Sequence, residues 1–271
     1  MKPIIFCHIA YMSAYMSDYR GGNNSDKPVN GGEYVKETGD AHEKNNFLPS
    51  KSIFGDDEND YCYGFIERRD KKNSECPIQT RIEEIYGCEG FKNKEKVDDV
   101  LVVWCAHSSE VKHLCVVGWY NHATVLRNMD GYCDIEDTYG NKRGQDFNFY
   151  AKTEDCILLP ENERKLDRWS VPISKENKYH FGFALQSQTW YGKITQYTKN
   201  TLSKSELELC QTKLNEYLEN LIKNIENYDG NNEMYIKIED YDIKKMSENM
   251  RRIEWWRKRN MENAPKSWYK K

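Results

Sequence analysis

The spacing of hydrophobic positions divides the chain into a β-rich part and a helical part. Alternating or continuous apolar runs, which are typical of strands, recur up to Pro160. These runs are Pro3–Tyr11, Tyr61–Arg68, Val100–Ala106, Leu114–Tyr120, Ala123–Arg127, Phe147–Ala151 and Asp155–Pro160. Only Asn121 and His122 separate the fourth run from the fifth, so this region predicts a central strand followed by a hairpin.

Helical spacing begins at Ser203, where Ser203 or Ser205 can cap a helix. Leucine and isoleucine then recur near the helical period, at Leu207, Leu209, Leu214, Leu218, Leu221, Ile222 and Ile225. The turn sequence Asp229–Asn232 ends this helix, and a second, basic and aromatic helix is predicted from about 242 to 260. The apolar stripe of the first helix must be buried.

Together these patterns predict an α+β protein. Its sheet is expected to be mixed, mostly antiparallel and barrel-like, of the PUA-like kind, with the C-terminal helices packed on it. We predict an α+β domain over residues 1–200 and a helical extension over residues 201–271. The extension ends in a basic tail that contains tryptophan.

Composition and charge limit the classes of function that are compatible with the sequence. Hydrophobic residues make up 38% of the chain and charged residues 31%, while the 13% of aromatic residues supply buried area for a core. The net charge of −4 gives no global positive field. The segment from Ile243 to Lys271, however, contains ten Lys and Arg and three Glu, a net charge of +7. The rest of the chain therefore has a net charge of −11. This asymmetry indicates a candidate interaction surface, and the alternative is a solvated helix.

The nine cysteines are scattered and form no Cys-x-x-Cys pair. Several lie in apolar runs, which favours buried free thiols in a reducing cytoplasm over a disulfide framework or a zinc site. The first residues lack the long hydrophobic region of a signal peptide, and no run approaches the roughly 20 apolar residues of a membrane span. We therefore expect a cytoplasmic protein without a membrane partner.

The chain contains no phosphate-binding loop, dinucleotide fingerprint or zinc-protease motif, so we predict no catalytic residue, metal or cofactor. The pair His42–Glu43 suggests a metal-dependent nuclease as an alternative. Two residues cannot form such a site alone. Companions would have to come from His8, His107, His113, His122 and from carboxylates such as Asp98, Asp99 and Asp134.

Two clusters combine aromatic and polar residues in a way that suits a planar ligand. Trp119 and Tyr120 precede Asn121 and face opposite sides of a strand, so one ring can meet a ligand while the other packs in the core. Gln186 and Ser187 lie just before Trp190, and such groups read donor and acceptor edges while an indole stacks. The alternatives are two core aromatics and a polar loop anchored by one buried tryptophan.

Two further segments are binding candidates. Tyr34, His42 and Asn46 follow the glycines Gly31 and Gly32, in a segment that either closes over a pocket or forms a turn before a strand. Basic residues suited to phosphate contacts are Arg127 and the tail residues Arg251, Arg252, Arg257, Lys258 and Arg259. Trp255 and Trp256 lie within this tail, which equally suits a helix docked through its tryptophans or, less well, a membrane contact.

The order of these segments resembles a bacterial module. The blocks that carry the resemblance are IIFCHIAYM, GGEYV, HEKNNF, YGFIE, TRIEEIYG, VLVVWCA, VVGWYNHATVLR, ILLPENER and LQSQTWYG, over roughly residues 4 to 225. The family pattern for the seventh block is VVGWYxNATVYR, from which this chain departs at His122, and LQSQTWYG is also a relaxed form of its block. Such modules resemble the N-terminal specificity domains of predicted modification-dependent restriction and nuclease proteins.

This resemblance implies a function in DNA recognition for a bacterial restriction or defence system. By analogy with base-flipping proteins, Trp119 or Trp190 would stack on an extruded, modified base of double-stranded DNA. Gln186, Ser187 or Asn121 would read the edge of that base, and the tail would hold phosphates. A nuclease domain or subunit is the implied partner. The metal-dependent nuclease and a protein-interaction or small-ligand module are the alternatives.

Overall fold

The computed structural model describes most of the first 235 residues. The described ranges are 2–15, 28–55, 58–66, 69–70, 73–77, 79–108, 110, 113–128, 132–136, 142–184 and 187–235. One compact unit spans Met1–Met234. The basic tail and the helix predicted there lie outside the described residues.

The described strands are short except for two in the middle of the chain. They are β1 Ile4–His8, β2 Ser50–Lys51, β3 Asp60–Gly64, β4 Arg69–Asp70, β5 Asn73–Pro77, β6 Lys96–His107, β7 Leu114–Leu126, β8 Tyr132–Glu136, β9 Lys142–Asp146, β10 Phe149–Lys152, β11 Cys156–Leu158, β12 Ser170–Val171 and β13 Thr189–Trp190. The α-helices are α1 Gly32–Thr38, α2 Glu161–Arg164, α3 Gln196–Thr201 and α4 Lys204–Glu226. Single 3₁₀ turns occupy His42–Asn45, Ile82–Glu84, Glu89–Phe91, Thr153–Asp155, Asp167–Trp169 and Glu233–Tyr235.

The main sheet has the strand order β13-β1-β6-β7-β10-β3-β2, with β11 and β12 also paired to β7. Strands β1 and β6 run parallel, and the other described pairs in this sheet are antiparallel. The predicted mixed, mostly antiparallel α+β fold is therefore confirmed. The sheet is open, because β13 and β2 are its ends and do not pair in the described part of the chain. The predicted barrel closure is not seen, and a PUA-like relation is not confirmed.

Both faces of the sheet are covered by apolar residues. Along β6, Val102 and Trp104 belong to one hydrophobic cluster, which we call the first, while Leu101 and Val103 belong to the second hydrophobic cluster on the opposite face. A strand buried on both faces is a near-continuous apolar run, as this segment is. The sheet therefore separates two hydrophobic cores.

Strand β7 is continuous from Leu114 to Leu126, so the predicted hairpin at Asn121 and His122 is wrong. The register with β6 shifts between Val97 and Val100, again between Val100 and Val102, and a third time between Trp104 and Cys105, beyond the apparent turn. The first shift places an extra residue in β6 and the second places one in β7. The two bulges compensate each other, and the strand passes through the apparent turn without reversing.

Helix α4 confirms the predicted cap and most of the predicted apolar stripe, whereas Leu209, which was predicted in the stripe, is 49% exposed. Ser203 accepts a hydrogen bond from the Glu206 backbone N–H, and the Glu206 side chain accepts one from the Ser203 backbone N–H, which is a capping box. The buried positions of the helix are Cys210, Leu214, Leu218, Leu221 and Ile225. They join the second hydrophobic cluster, so the helix packs on the sheet as expected. The boundary predicted at residue 200 stays a prediction.

Candidate functional site

The two aromatic residues of the central strand lie in opposite cores. Trp119 is 3% exposed and stacks on Trp169, with ring centroids 5.4 Å apart and an interplanar angle of 26°. Tyr120 is fully buried on the other face, where its hydroxyl donates to the backbone oxygen of Asn46. The rings face opposite sides, as expected from strand geometry. Neither ring presents a face to a ligand.

Trp190 also packs inside the protein. It is 3% exposed, lies 4.5 Å from Phe6 in a stacked arrangement, and donates from Nε1 to the backbone oxygen of Lys193 at 2.8 Å. Ser187 beside it is half-buried and donates from Oγ to the Thr189 backbone oxygen at 2.6 Å. Gln186 lies outside the described residues. This segment therefore anchors β13 through its indole.

Asn46 supports the backbone at the end of β3. Its Nδ2 donates to the Phe65 oxygen at 3.1 Å, and its Oδ1 accepts from the Phe65 N–H at 3.0 Å. Asn148 makes the same reciprocal pair with Ile66, at 3.1 and 3.2 Å. The two amides replace the partners that a neighbouring strand would supply, and such buried groups must be satisfied. This arrangement favours a structural role for Asn46.

Arg127 uses its guanidinium within the protein. It donates to the backbone oxygens of Lys94, Phe91 and Lys92 at 2.8 to 2.9 Å, and it pairs with Glu83 at 2.9 Å. The Arg127 partner helps to hold the pKa of Glu83 below its usual range, against the opposing effect of burial. These contacts favour a structural role over phosphate binding.

The other predicted site residues are dispersed. His42 is exposed in a 3₁₀ turn, with its ring beside Phe65. Asn121 is half-buried and accepts a hydrogen bond from Lys2. Tyr34 lies in α1, and the structure does not describe its side chain. Arg251, Arg252, Arg257, Lys258 and Arg259 lie outside the described residues.

The histidines and carboxylates that the nuclease alternative requires do not form a metal-binding cluster within the described residues. Within those ranges, no group of three or more His, Cys, Asp or Glu side chains has a metal-binding arrangement. Asp98 and Asp99 instead make hydrogen bonds to Thr124 and His122. Asp134 lies in β8, and the structure does not describe its side chain.

The structure does bring together a set of aromatic residues that sequence analysis did not select. We call it the aromatic face, and its members are Phe54, Tyr61, Tyr63, Phe147 and Tyr150. It lies on the side of the sheet opposite to the first hydrophobic cluster, since Tyr61 and Tyr63 flank the buried Cys62 in β3. Helix α4 covers another part of the sheet, and the described residues of this cluster include none from a helix.

Phe54 is the exposed member of the aromatic face, with 48% of its surface accessible. Its ring lies 4.6 Å from Tyr150 and 5.7 Å from Tyr61, at interplanar angles of 37° and 75°. Tyr61 and Tyr150 are half-buried, while Tyr63 and Phe147 form the floor. An exposed ring supported by other rings is a preformed stacking surface. The YCY alternation in β3 is the one sequence signal that could have indicated it.

Polar groups border the aromatic face along β6 and β7. Thr124 is the cross-strand partner of Tyr150 and donates from Oγ1 to Asp98 Oδ1 at 2.7 Å. Lys96 Nζ lies 3.3 Å from the same carboxylate oxygen. The Tyr150 hydroxyl and the Asp98 carboxylate raise the pKa of Lys96, so this side chain stays charged. Lys152, paired with Tyr61 in register, adds a second cation.

The double bulge places two strained residues next to this border. Asp99 has φ of 60° and His122 has φ of 49°, both in the left-handed region that disfavours most side chains. Asp99 Oδ1 lies 2.7 Å from His122 Nδ1, so the two bulges are joined by this contact. Asn, Asp and His tolerate left-handed backbone best among non-glycine residues, so Asp99 and His122 suit these two positions.

A pair of imidazoles lies at the C-terminal ends of the parallel strands β1 and β6. The rings of His8 and His107 are 5.4 Å apart in an edge-to-face contact, and His8 also meets Phe183. His8 Nε2 is buried with no hydrogen-bond partner among the residues that the structure describes. Burial, and to a smaller extent His107, lower the pKa of His8 from 6.5 to about 4.

This shift predicts an acid-sensitive stability. Because the unfolded chain takes up a proton at His8 at higher pH than the native protein does, the free energy of unfolding should decrease as pH falls from 6.5 towards 4, by about 1–3 kcal/mol. Urea denaturation at a series of pH values measures this slope. His8→Asn should flatten the dependence of the free energy of unfolding on pH. His42→Asn, which replaces an exposed histidine, is the control and should leave this dependence in place. Identical pH profiles for His8→Asn and the unsubstituted protein would contradict the assignment.

Within the described residues, no helix has both the length and the apolar character needed to cross a bilayer. Comparison with known proteins adds no relative, because no family model, curated protein or solved structure matches the chain.

Proposed function

We propose that this protein is a DNA-binding recognition module that holds a DNA base against the aromatic face. The observation that carries the proposal is the exposed ring of Phe54 in contact with Tyr61 and Tyr150. Stacking of a base on an aromatic side chain contributes about 1–3 kcal/mol and tolerates any base. Sheets that present aromatic residues are one of the recurrent surfaces for this interaction.

The aromatic face suits this role better than the tryptophans named from sequence. Trp119 and Trp190 are each 3% exposed, so a base could reach either indole only if the core opened. Phe54 requires no such opening. The base must still present its face, so the substrate is an extruded or unpaired nucleotide, either plain or modified.

Two features of the chain support a DNA substrate over a protein partner. Lys96 and Lys152 lie on the strands that border the aromatic face, where they can contact phosphates. The basic tail adds the phosphate-binding residues Arg251, Arg252, Arg257, Lys258 and Arg259 in this proposal.

The resemblance to specificity domains of restriction systems belongs to the same proposal. In such a system the protein would select the DNA site, and a nuclease domain or subunit would cut it. The nuclease alternative receives no support from a described metal cluster. We therefore propose recognition without cleavage by this chain.

The test is equilibrium binding of the full chain to fluorescent oligonucleotides at two salt concentrations. The probes are a plain duplex, duplexes with methylated or hydroxymethylated cytosine, a duplex with one unpaired base, and a single strand. Phe54→Ala should weaken binding by about 5- to 150-fold, the equivalent of one lost stacking interaction. Tyr197→Ala is the matched control, because Tyr197 is a 78% exposed aromatic residue of α3 outside the aromatic face.

Each outcome bears on the proposal. The proposal is supported if the protein binds the unpaired or modified probes more tightly than the plain duplex, and if Phe54→Ala weakens this binding while Tyr197→Ala does not. Failure to bind any probe at low salt overturns DNA recognition, and binding that Phe54→Ala leaves unchanged overturns the aromatic face as its site. Magnesium-dependent cutting of a probe would replace the proposal with the nuclease.

A further inference from the structure

One exposed carboxylate, that of Asp98, borders the aromatic face through its hydrogen bond with Thr124. Tyr150 and Thr124 are directly opposite each other in the pairing of β10 with β7. Thr124 donates a hydrogen bond to Asp98 Oδ1 at 2.7 Å. Asp98 is therefore bonded directly to the cross-strand partner of Tyr150. The Asp98 side chain is 62% exposed and therefore accessible to a ligand.

The hydrogen bonds of Asp98 orient it as an acceptor. Its Oδ1 receives the Thr124 hydroxyl and lies 3.3 Å from Lys96 Nζ, and both partners are donors. An ionised carboxylate has no proton to donate and carries two oxygens that accept. Oδ2 is therefore available to accept from a ligand that presents an N–H group.

We infer, on the basis of the proposed function, that Asp98 makes the aromatic face select bases with an amino group on their edge, such as cytosine, over thymine. The cytosine N4 amino group donates, and aspartate accepting from it is an established pairing in base recognition. Thymine presents the O4 carbonyl at the same position. Two acceptors facing each other repel, so thymine is disfavoured.

Modified cytosines fit the same selection. A methyl or hydroxymethyl group at C5 leaves the N4 amino group in place, so the pairing with Asp98 is preserved. The carbon substituent lies beside the amino group and can pack against the aromatic rings. The selection by Asp98 therefore concerns cytosine as a class, and any preference for the modified form is additional to it.

The experiment compares single strands of about twelve nucleotides, one of cytosine and one of thymine, at mildly alkaline pH with the full chain. The unsubstituted protein should bind the cytosine strand at least about fivefold more tightly, the lower range of one such pairing. Asp98→Asn should abolish or reverse the preference, since the amide Nδ2 can donate to thymine O4. Its Oδ1 can still accept from Thr124, so the fold is retained.

Asp60→Asn is the matched control, because Asp60 is an exposed acidic residue of β3 that alternates to the side away from Tyr61. It should keep the cytosine preference, and thermal unfolding should confirm that both variants are folded. Equal binding of the two strands, or a preference that survives Asp98→Asn, overturns the inference and leaves the proposed function standing. If the protein binds neither strand nor any other DNA probe, both the inference and the proposed function are overturned.

Discussion

Replacement of Trp119 by alanine is expected to decrease the free energy of unfolding by about 3–5 kcal/mol, as is typical for a buried tryptophan. The indole is 3% exposed, stacks on Trp169 at 5.4 Å and meets the edge of Tyr228 at 5.5 Å. Its removal leaves a cavity between the sheet and the residues that cover it. Urea or thermal denaturation measures the change.

The same variant separates a core residue from a ligand-binding residue. Tyr197→Ala, at an exposed ring, should change the free energy of unfolding by less than about 0.5 kcal/mol. A DNA-stacking role for Trp119 would give the opposite pattern, with little loss of stability and complete loss of DNA binding. That result would indicate that the DNA-binding site includes Trp119 in β7 and is not the aromatic face.

Arg164→Met is expected to have an effect of similar size, about 3–5 kcal/mol, although no sequence motif indicated this residue. The guanidinium is 1% exposed and donates to the backbone oxygens of Leu159, Met12 and Ser13, each at 2.7 Å. It thereby joins the segment after β1 to the segment after β11. Methionine fills part of the volume but removes the guanidinium donors from three carbonyl groups, of which those of Leu159 and Met12 are buried.

Two control substitutions define the role of Arg164. Arg164→Lys keeps the charge but cannot reach three carbonyls with the planar fork of donors, so it should also destabilise the protein markedly. Arg168→Met alters an exposed ion pair with Glu163 and should change the stability by about 1 kcal/mol or less. Chemical denaturation of the three variants tests this order. A fully stable Arg164→Met protein would show that the carbonyl groups find other partners.

The placement of these residues changes which positions can test the proposed DNA recognition. Trp119, Trp190 and Asn46 stabilise the fold, so their substitution reports on stability first. Phe54 and Asp98 are exposed, so their substitution should affect the proposed binding more than the stability. Recognition experiments on this protein should begin with the second group.

Local pattern alone was sufficient to predict several elements of this protein. The continuous apolar run in β6, the strand at Ile4–His8 and the stripe and cap of α4 were all predicted, because each depends on side-chain periodicity or on a hydrogen bond between near neighbours in the chain. Opposite orientation of Trp119 and Tyr120 also followed from strand geometry. These features require no knowledge of distant partners.

The tertiary structure decided which of the aromatic residues are exposed. Trp119 and Phe54 both lie next to polar residues, but Trp119 is in a central strand covered on both faces, whereas Phe54 follows the edge strand β2. Strand order determines this difference, and strand order depends on pairings between residues far apart in the chain. The compensating bulges at Asp99 and His122 likewise depend on register, so a continuous strand had the local signature of a hairpin.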